Sequence, residues 1–185
     1  ACEASAGGMA AIVGLDEEAV RSVCDQADVS LANLNCPGQI VISGDTDKID
    51  AACDAAKTAG AKRAIPLPVA GAYHSPLMRP AQSGLGEILA KVELCEPSVP
   101  VYSNVTGQAH ANARTIAGAM VEQVTSPVKW EACIHAMIAD GVTRFIELGP
   151  GTALTGFMRR IDRTAEVLNV GDCDSLAKAA EALNA

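Results

Sequence analysis

Aromatic residues are scarce in this sequence, at 3% of 185 residues, while hydrophobic residues as a whole make up 49%. A sizeable core is therefore expected, and Ala, Val, Ile and Leu must build most of it. No run of about 18 apolar residues is present, which predicts that no helix spans a membrane. The first residues lack a basic stretch followed by an apolar one, so we predict no signal peptide and a cytoplasmic location.

Positive charge is also scarce, since the formal net charge is −8. This balance argues against broad binding of nucleic acid. Basic residues do cluster at two places, at Lys62 and Arg63 and at Arg159, Arg160 and Arg163. Each cluster is either a solvated strand edge or helix end, or a small landing site for phosphates or an acidic partner.

The seven cysteines are odd in number, widely scattered and never spaced as CxxC. This pattern supports neither a disulfide framework nor a metal site. We expect reduced cysteines that act as small core residues.

Strand and helix patterns alternate regularly in the first 70 residues. Apolar runs predict strands over 8–14, 29–35, 39–43 and 61–69, and helical spacing predicts helices over 16–27 and 47–60. Pro66 and Pro68 predict that the last strand lies at an edge or leaves the sheet. The order β-α-β-β-α-β is that of a ferredoxin-like domain, which we assign to residues 1–70.

Residues 71–185 change to helices alternating with short apolar strands. Strands are predicted over 99–103, 143–149 and 166–170, helices over 75–92, 113–125, 127–140 and 174–183, and a turn followed by a helix within 149–161. Nearly continuous apolar strands of this kind indicate a parallel sheet covered on both faces, that is, an α/β class of fold. Three strands are few for a doubly wound sheet, so we expect part of this layer to lie outside the sequence.

His74, in the stretch "GAYHSP", is the best candidate for proton transfer among three histidines. It follows a predicted strand and precedes a helix, the kind of corner where α/β proteins gather their sites. His110 lies in a polar loop and His135 inside a helix, and both are expected to be structural. A base needs a nucleophile, yet no serine or cysteine here has glycines at both −2 and +2, as a nucleophile elbow requires.

Five separated blocks, in order, resemble the malonyl-CoA:acyl carrier protein transacylases and, more loosely, the acyltransferase domains of polyketide and fatty acid synthases. The blocks are "NCPGQIVISG", "AKRAIPLPV", "GAYHSPLMRPA", "SPVKW" and "FIELGPGTALTGFMRRI". The resemblance covers the C-terminal three-fifths or so of that family: a ferredoxin-like small subdomain and the closing part of a larger subdomain similar to α/β-hydrolases. It implies ping-pong transfer of a malonyl group from malonyl-CoA to the phosphopantetheine thiol of acyl carrier protein, in fatty acid biosynthesis. Coenzyme A enters as a thioester substrate, and no cofactor or metal is implied.

The resemblance also implies roles for individual residues. His74 matches the base of a Ser-His dyad, and the backbone carbonyl of Gln123 matches the group that orients the imidazole. Asn33 and Asn35 match a polar pair near the acyl and pantetheine channel, although turn and strand hydrogen bonds would explain them as well. Tyr73 stands where malonyl-selective relatives have Phe, which favours malonyl over methylmalonyl, or it fills a corner of the core.

The family's GHSxG serine, the arginine that pairs with the malonyl carboxylate, and the glutamine of the oxyanion hole would all lie upstream of Ala1. We therefore expect a missing N-terminal segment of the same protein and no turnover by the 185 residues alone. The basic clusters are candidates for docking acyl carrier protein or the phosphates of coenzyme A. Three alternatives remain: an acyltransferase domain of a polyketide synthase, a non-catalytic ferredoxin-like binding module, and a fragment of a serine hydrolase.

Overall fold

The computed structural model describes residues 7–184 as a mixed α/β protein whose chain divides into two compact units, with the division between Cys133 and Ile134. The boundary predicted near residue 70 is a different division and stays a prediction.

The first unit begins with six elements that follow the predicted order β-α-β-β-α-β. They are β1 (Gly7–Val13), α1 (Glu17–Ala27), β2 (Ser30–Cys36), β3 (Gln39–Asp45), α2 (Thr46–Thr58) and β4 (Arg63–Pro66). The strands form an antiparallel sheet in the order β2-β3-β1-β4. The predicted edge position of the strand that contains Pro66 is therefore confirmed.

Aliphatic residues fill both faces of this sheet. Ala10, Ile12 and Ile42 from the strands pack with Val20 and Ile49 from the two helices in the larger cluster. A smaller cluster on other strand positions contains Met9, Ala32 and Val41. Period-2 alternation places successive side chains on opposite faces, so both clusters come from the same strands.

Helix α1 begins where its sequence predicts. Asp16 is the N-cap, and its carboxylate accepts a 2.9 Å hydrogen bond from the backbone N–H of Ala19. Glu17 and Glu18 follow in the first turn, where negative charge is favourable.

The rest of the first unit contains the segments that carry the candidate site. A short 3-10 helix (Pro76–Met78) leads into α3 (Arg79–Leu89), which packs on α4 (Ala113–Gln123). Between these helices, β5 (Tyr102–Ser103) pairs with β6 (Gln108–Ala109) as an antiparallel hairpin. The prediction of a parallel strand over 99–103 is thus wrong, since Pro100 interrupts the run and lacks the N–H that a strand would use.

In the second unit, β7 (Arg144–Leu148) and β8 (Glu166–Val170) form a parallel pair, as predicted. Helices α6 (Ala153–Ile161) and α7 (Cys173–Asn184) belong to this unit, and α5 (Trp130–Ala139) contains the division between the units. The prediction that β7 is buried on both faces is wrong, because Leu148 is 77% exposed and Ile146 39% exposed. An apolar run shows that a strand can be buried, but it does not show which element covers it. Within residues 7–184 no layer covers these two side chains.

Candidate active site

His74 has a left-handed backbone conformation, with φ of 59°, that few residues other than glycine adopt. This conformation turns the chain sharply between the end of the small sheet and the helix that follows. Strained backbone of this kind persists only where neighbouring contacts hold it, and it is concentrated at functional sites.

Ser75 supplies the contacts that fix this turn. Its hydroxyl donates a 2.7 Å hydrogen bond to the carbonyl oxygen of Ala72 and accepts a 3.3 Å hydrogen bond from the backbone N–H of Leu77. Ser75 is therefore the N-cap of the 3-10 helix, and only 1% of it is exposed. Because Ser75 does the capping, the imidazole of His74 is left for another task.

The Nδ1 atom of His74 lies 3.0 Å from the backbone carbonyl oxygen of Gln123, 49 residues away in sequence. A carbonyl oxygen can only accept, so this contact places a hydrogen on Nδ1 and leaves Nε2 with a free lone pair. An imidazole in this tautomer can take a proton at Nε2 from a group that faces it. The structure thus brings together the two groups that the family resemblance paired.

The Gln123 side chain holds the turn that presents this carbonyl. Its amide nitrogen donates a 2.9 Å hydrogen bond to the carbonyl oxygen of Ser126 and lies 3.5 Å from Nδ1 of His74. The shorter carbonyl contact decides the tautomer, since hydrogen bonds weaken with distance. This local role of the side chain was not predicted from the sequence.

A cavity of about 180 Å³ lies beside the His74 turn and is lined in part by Ser75, Pro76, Leu77 and Ser43. Ser43 is fully buried, and its hydroxyl is one of two buried side-chain atoms without a hydrogen-bond partner among the described residues. A small cavity with polar lining therefore lies on one side of the 3-10 helix that follows His74.

Asn33 and Asn35 lie half-buried on β2, at an irregular stretch of the pairing with β3. The backbone N–H of Leu34 donates to the carbonyl of Val128, and the N–H of Val128 donates to the carbonyl of Ala32, both at 2.8 Å. The outer edge of β2 is thus paired with the segment that continues from Gln123. This arrangement brings the Asn33 backbone next to that segment, and the role of both side chains as channel lining stays a prediction.

Tyr73 immediately precedes His74 and is 36% exposed. The other two histidines lie elsewhere: His110 is half-buried in the loop after β6, and His135 is exposed on α5. Neither is part of the contact between His74 and Gln123.

The two basic clusters belong to different units. Lys62 and Arg63 are exposed at the start of β4 in the first unit. In the second unit, Arg159 and Arg160 lie in the last turn of α6, and Arg163 follows the helix as an exposed residue. Cations in the last turn of a helix are favoured by its dipole, so a structural role accounts for two of these arginines without a ligand.

Glu147 is a structural residue that sequence reasoning missed. Its carboxylate accepts hydrogen bonds from the backbone N–H groups of Leu154 (3.0 Å) and Thr155 (2.9 Å) and from the Thr155 hydroxyl (2.6 Å). Burial raises the pKa of Glu147, but these hydrogen bonds outweigh burial and hold the pKa below its ordinary value. The N-terminus of α6 is thereby occupied by a carboxylate from β7. An acidic residue just before a glycine-rich turn and a helix was the available signal.

The described residues show neither a metal cluster nor a membrane span. No three His, Cys, Asp or Glu side chains in residues 7–184 come together as possible metal ligands, and no helix there is long and apolar enough to cross a membrane. Among the described cysteines, four are buried and two exposed, and all six are free thiols. Burial raises the pKa of the Cys24 thiol to about 11, as expected for an inert core residue.

The family comparison agrees with this geometry: the model of the acyl transferase domain matches residues 2–180. The chain therefore belongs to the acyl transferase domain family. It is 44% identical over 188 residues to the malonyl CoA-acyl carrier protein transacylase of Bacillus subtilis, covering 99% of the chain and 59% of that relative.

Solved structures of similar proteins give the same result. An acyl carrier protein S-malonyltransferase from Vibrio cholerae has a TM-score of 0.90 at 43% identity, over 94% of this chain and 58% of that one. A malonyl-transacylase in complex with a type II PKS acyl-carrier protein has a TM-score of 0.93 at 38% identity, over 96% of this chain and 59% of that one. The chain thus spans a little under three-fifths of the length of these relatives.

Proposed function

We propose that the protein containing this chain transfers a malonyl group from malonyl-CoA to the phosphopantetheine thiol of acyl carrier protein. The observation that carries the proposal is the 3.0 Å contact between His74 Nδ1 and the Gln123 carbonyl, in a chain that belongs to the acyl transferase domain family. Relatives named as malonyl transacylases, one of them in complex with an acyl-carrier protein, support both the donor and the acceptor.

In this proposal His74 is the general base of a Ser-His dyad. Nε2 takes the proton of a serine hydroxyl while the serine attacks the malonyl thioester; the carbon–sulfur bond then breaks, and Nε2 gives this proton to the sulfur of coenzyme A, which leaves as the thiol. In the second half-reaction Nε2 takes the proton of the carrier thiol, whose sulfur attacks the malonyl ester; the bond to the serine oxygen then breaks, and Nε2 gives the proton back to that oxygen. The Gln123 carbonyl holds the Nδ1 proton throughout, in the place that a carboxylate has in a triad.

We infer that the nucleophile comes from a part of the protein outside this chain, because no GHSxG sequence is present in the 185 residues. The chain alone would then not turn over. We further assign residues 1–70 to a ferredoxin-like subdomain, supported by the antiparallel strand order β2-β3-β1-β4, and residues 71–185 to the closing part of a subdomain similar to α/β-hydrolases. In this assignment Tyr73, Asn33 and Asn35 line the acyl and pantetheine channel, and Tyr73 disfavours a 2-methyl branch.

The test is malonyl transfer by the intact protein, measured with malonyl-CoA and a phosphopantetheinylated carrier. His74→Ala should lower the rate roughly 10²–10⁴-fold, the usual span for a general base. His110→Ala is the matched control and should leave the rate unchanged, because His110 lies in the loop after β6. A loss below about threefold in His74→Ala would remove His74 from the mechanism, and an intact protein without any malonyl transfer would favour the non-catalytic binding module.

A further inference from the structure

The side-chain amide of Gln82 connects the two helices that present His74 and Gln123. Gln82 lies on α3, the helix that begins just after the His74 turn, and it is half-buried. Its Nε2 atom donates a 2.9 Å hydrogen bond to the Thr125 hydroxyl and a 3.2 Å hydrogen bond to the carbonyl oxygen of Val121. These two acceptors flank Gln123, two residues to either side.

The orientation of this amide is fixed by its partners. The Val121 carbonyl can only accept, so the nitrogen and not the oxygen of the Gln82 amide must face it. The Thr125 hydroxyl, for its part, lies 3.5 Å from the carbonyl oxygen of Glu122, to which it donates. One NH₂ group therefore holds the last turn of α4 and Thr125, two residues beyond the helix, in a single arrangement.

We propose that Gln82 is a positioning residue for His74: by fastening the end of α4 to α3, it sets the distance between the Gln123 carbonyl and the imidazole. The inference rests on the proposed function for the role of His74 as a base. Because α3 continues directly from the His74 turn, a fixed α3–α4 connection keeps the donor and the acceptor of the 3.0 Å hydrogen bond in register.

The consequence is chemical as well as structural. When the Gln123 carbonyl is held close, the neutral imidazole carries its hydrogen on Nδ1, and Nε2 is available as a base. When the end of α4 moves away, this preference is lost and the tautomer with hydrogen on Nε2 gains population. That second tautomer cannot take a proton from a nucleophile at Nε2.

Gln82→Met tests the proposal in the intact protein, because Met has a similar length and shape but no donor. Gln82→Lys restores donors at the same place and should rescue. Gln26→Met is the matched control: Gln26 lies exposed on α1 and donates one hydrogen bond, to Ser22 at 3.2 Å. If Gln82→Met does not fold, Thr125→Val removes one of the two acceptors and leaves the Val121 contact.

The main readout is the tautomer of His74, from ¹⁵N NMR of the ring nitrogens, assigned by comparison with His74→Ala. We expect Gln82→Met to lower the fraction protonated on Nδ1, Gln82→Lys to restore it, and Gln26→Met to leave it as in the wild type. The rate constant kcat for malonyl transfer should fall about tenfold in Gln82→Met with KM nearly constant, since a misplaced group loses rate more than binding.

The outcomes separate this inference from the proposed function. A tautomer and a kcat in Gln82→Met equal to those of the wild type would overturn the role of Gln82 while malonyl transfer stands. A wild type without malonyl transfer would overturn the proposed function, and a tautomer that still responds to Gln82→Met would support the positioning role. If Gln26→Met changed the His74 tautomer as much as Gln82→Met does, the positioning role of Gln82 would also be overturned, because the change would not depend on the contact between α3 and α4.

Discussion

The hydroxyl of Ser75 donates a 2.7 Å hydrogen bond to the carbonyl oxygen of Ala72 and so closes the turn that contains His74. Both residues are buried, at 1% and 0% exposed. Ser75→Ala would leave that carbonyl without this donor, and we expect a loss of about 1–3 kcal/mol in the free energy of unfolding. Urea denaturation measures it.

Ser43→Ala gives the contrasting case. The Ser43 hydroxyl is also buried but has no hydrogen-bond partner, so its removal should change the free energy of unfolding by less than about 0.5 kcal/mol or raise it. If Ser43→Ala destabilised the protein as much as Ser75→Ala, the Ser43 hydroxyl would have to form a hydrogen bond in solution.

Gly7 packs directly against the same turn. A Cβ atom added at Gly7 would lie 2.6 Å from both the Cβ and the backbone nitrogen of Ala72. Gly7→Ala must therefore displace Ala72 and the His74 turn, and we expect a loss of about 1–3 kcal/mol in stability, as for other overpacked sites, together with slower malonyl transfer.

Gly84→Ala is the control for Gly7→Ala. Gly84 lies within α3, and an added Cβ would have nothing within 4 Å. Alanine is a better helix former than glycine, so this variant should be more stable by roughly 0.5–1 kcal/mol. Thermal and urea unfolding should show that the free energy of unfolding falls in Gly7→Ala and rises in Gly84→Ala. A change of the same sign in both variants would contradict the packing of Gly7 against Ala72.

Glu147 should make the second unit sensitive to acid. Its hydrogen bonds to Leu154 and Thr155 favour the charged form and hold its pKa below the ordinary value of 4.5 in the folded state. A lowered folded pKa contributes stability that is present above the ordinary pKa and is lost as pH falls through the folded one. Glu147→Gln should therefore be less stable than the wild type at neutral pH, and the difference should shrink below about pH 4.5.

The measurement is urea unfolding at a series of pH values, with Thr155→Val as a second variant. Thr155→Val removes the 2.6 Å donor and should weaken the pH dependence without abolishing it, because two backbone donors remain. A difference between Glu147→Gln and the wild type that stays constant from pH 7 to pH 3 would show that this carboxylate is not the titrating group.

The basic clusters can be tested separately because they lie in different units. One variant carries Lys62→Glu and Arg63→Glu, and the other carries Arg159→Glu, Arg160→Glu and Arg163→Glu. The cluster that docks an acidic carrier should, when reversed, weaken carrier binding about tenfold or more and reduce its salt dependence, since the attraction is electrostatic. Binding of the wild type that did not depend on salt would exclude both clusters.

Local signals predicted the six elements from β1 to β4 well. The acidic N-cap at Asp16 and the prolines of the last strand each act on their own neighbours, so the sequence is sufficient to place them. The prediction is wrong where burial depends on a partner. Leu148 and Ile146 read as core residues, yet both are exposed, because an apolar run does not say what will cover it.

The site shows the same limit over a longer distance. No periodicity relates His74 to a carbonyl 49 residues away, and only the family resemblance paired them before the fold was known. Gln82 and Glu147 gave no resemblance-based signal, and part of what each contacts is a backbone group that any residue could provide. Their partners become visible only once the helices are placed.

Both edges of the four-stranded sheet are closed to a further strand. Along β2, the backbone of Val128 already takes up donor and acceptor positions, and β4 at the other edge is four residues long and ends at Pro66. An incoming chain finds little free backbone to pair with at either side. The stretch from Gln123 to Val128 thus has two roles: it presents the carbonyl to His74, and it pairs with the outer edge of β2, where an incoming strand would otherwise bind.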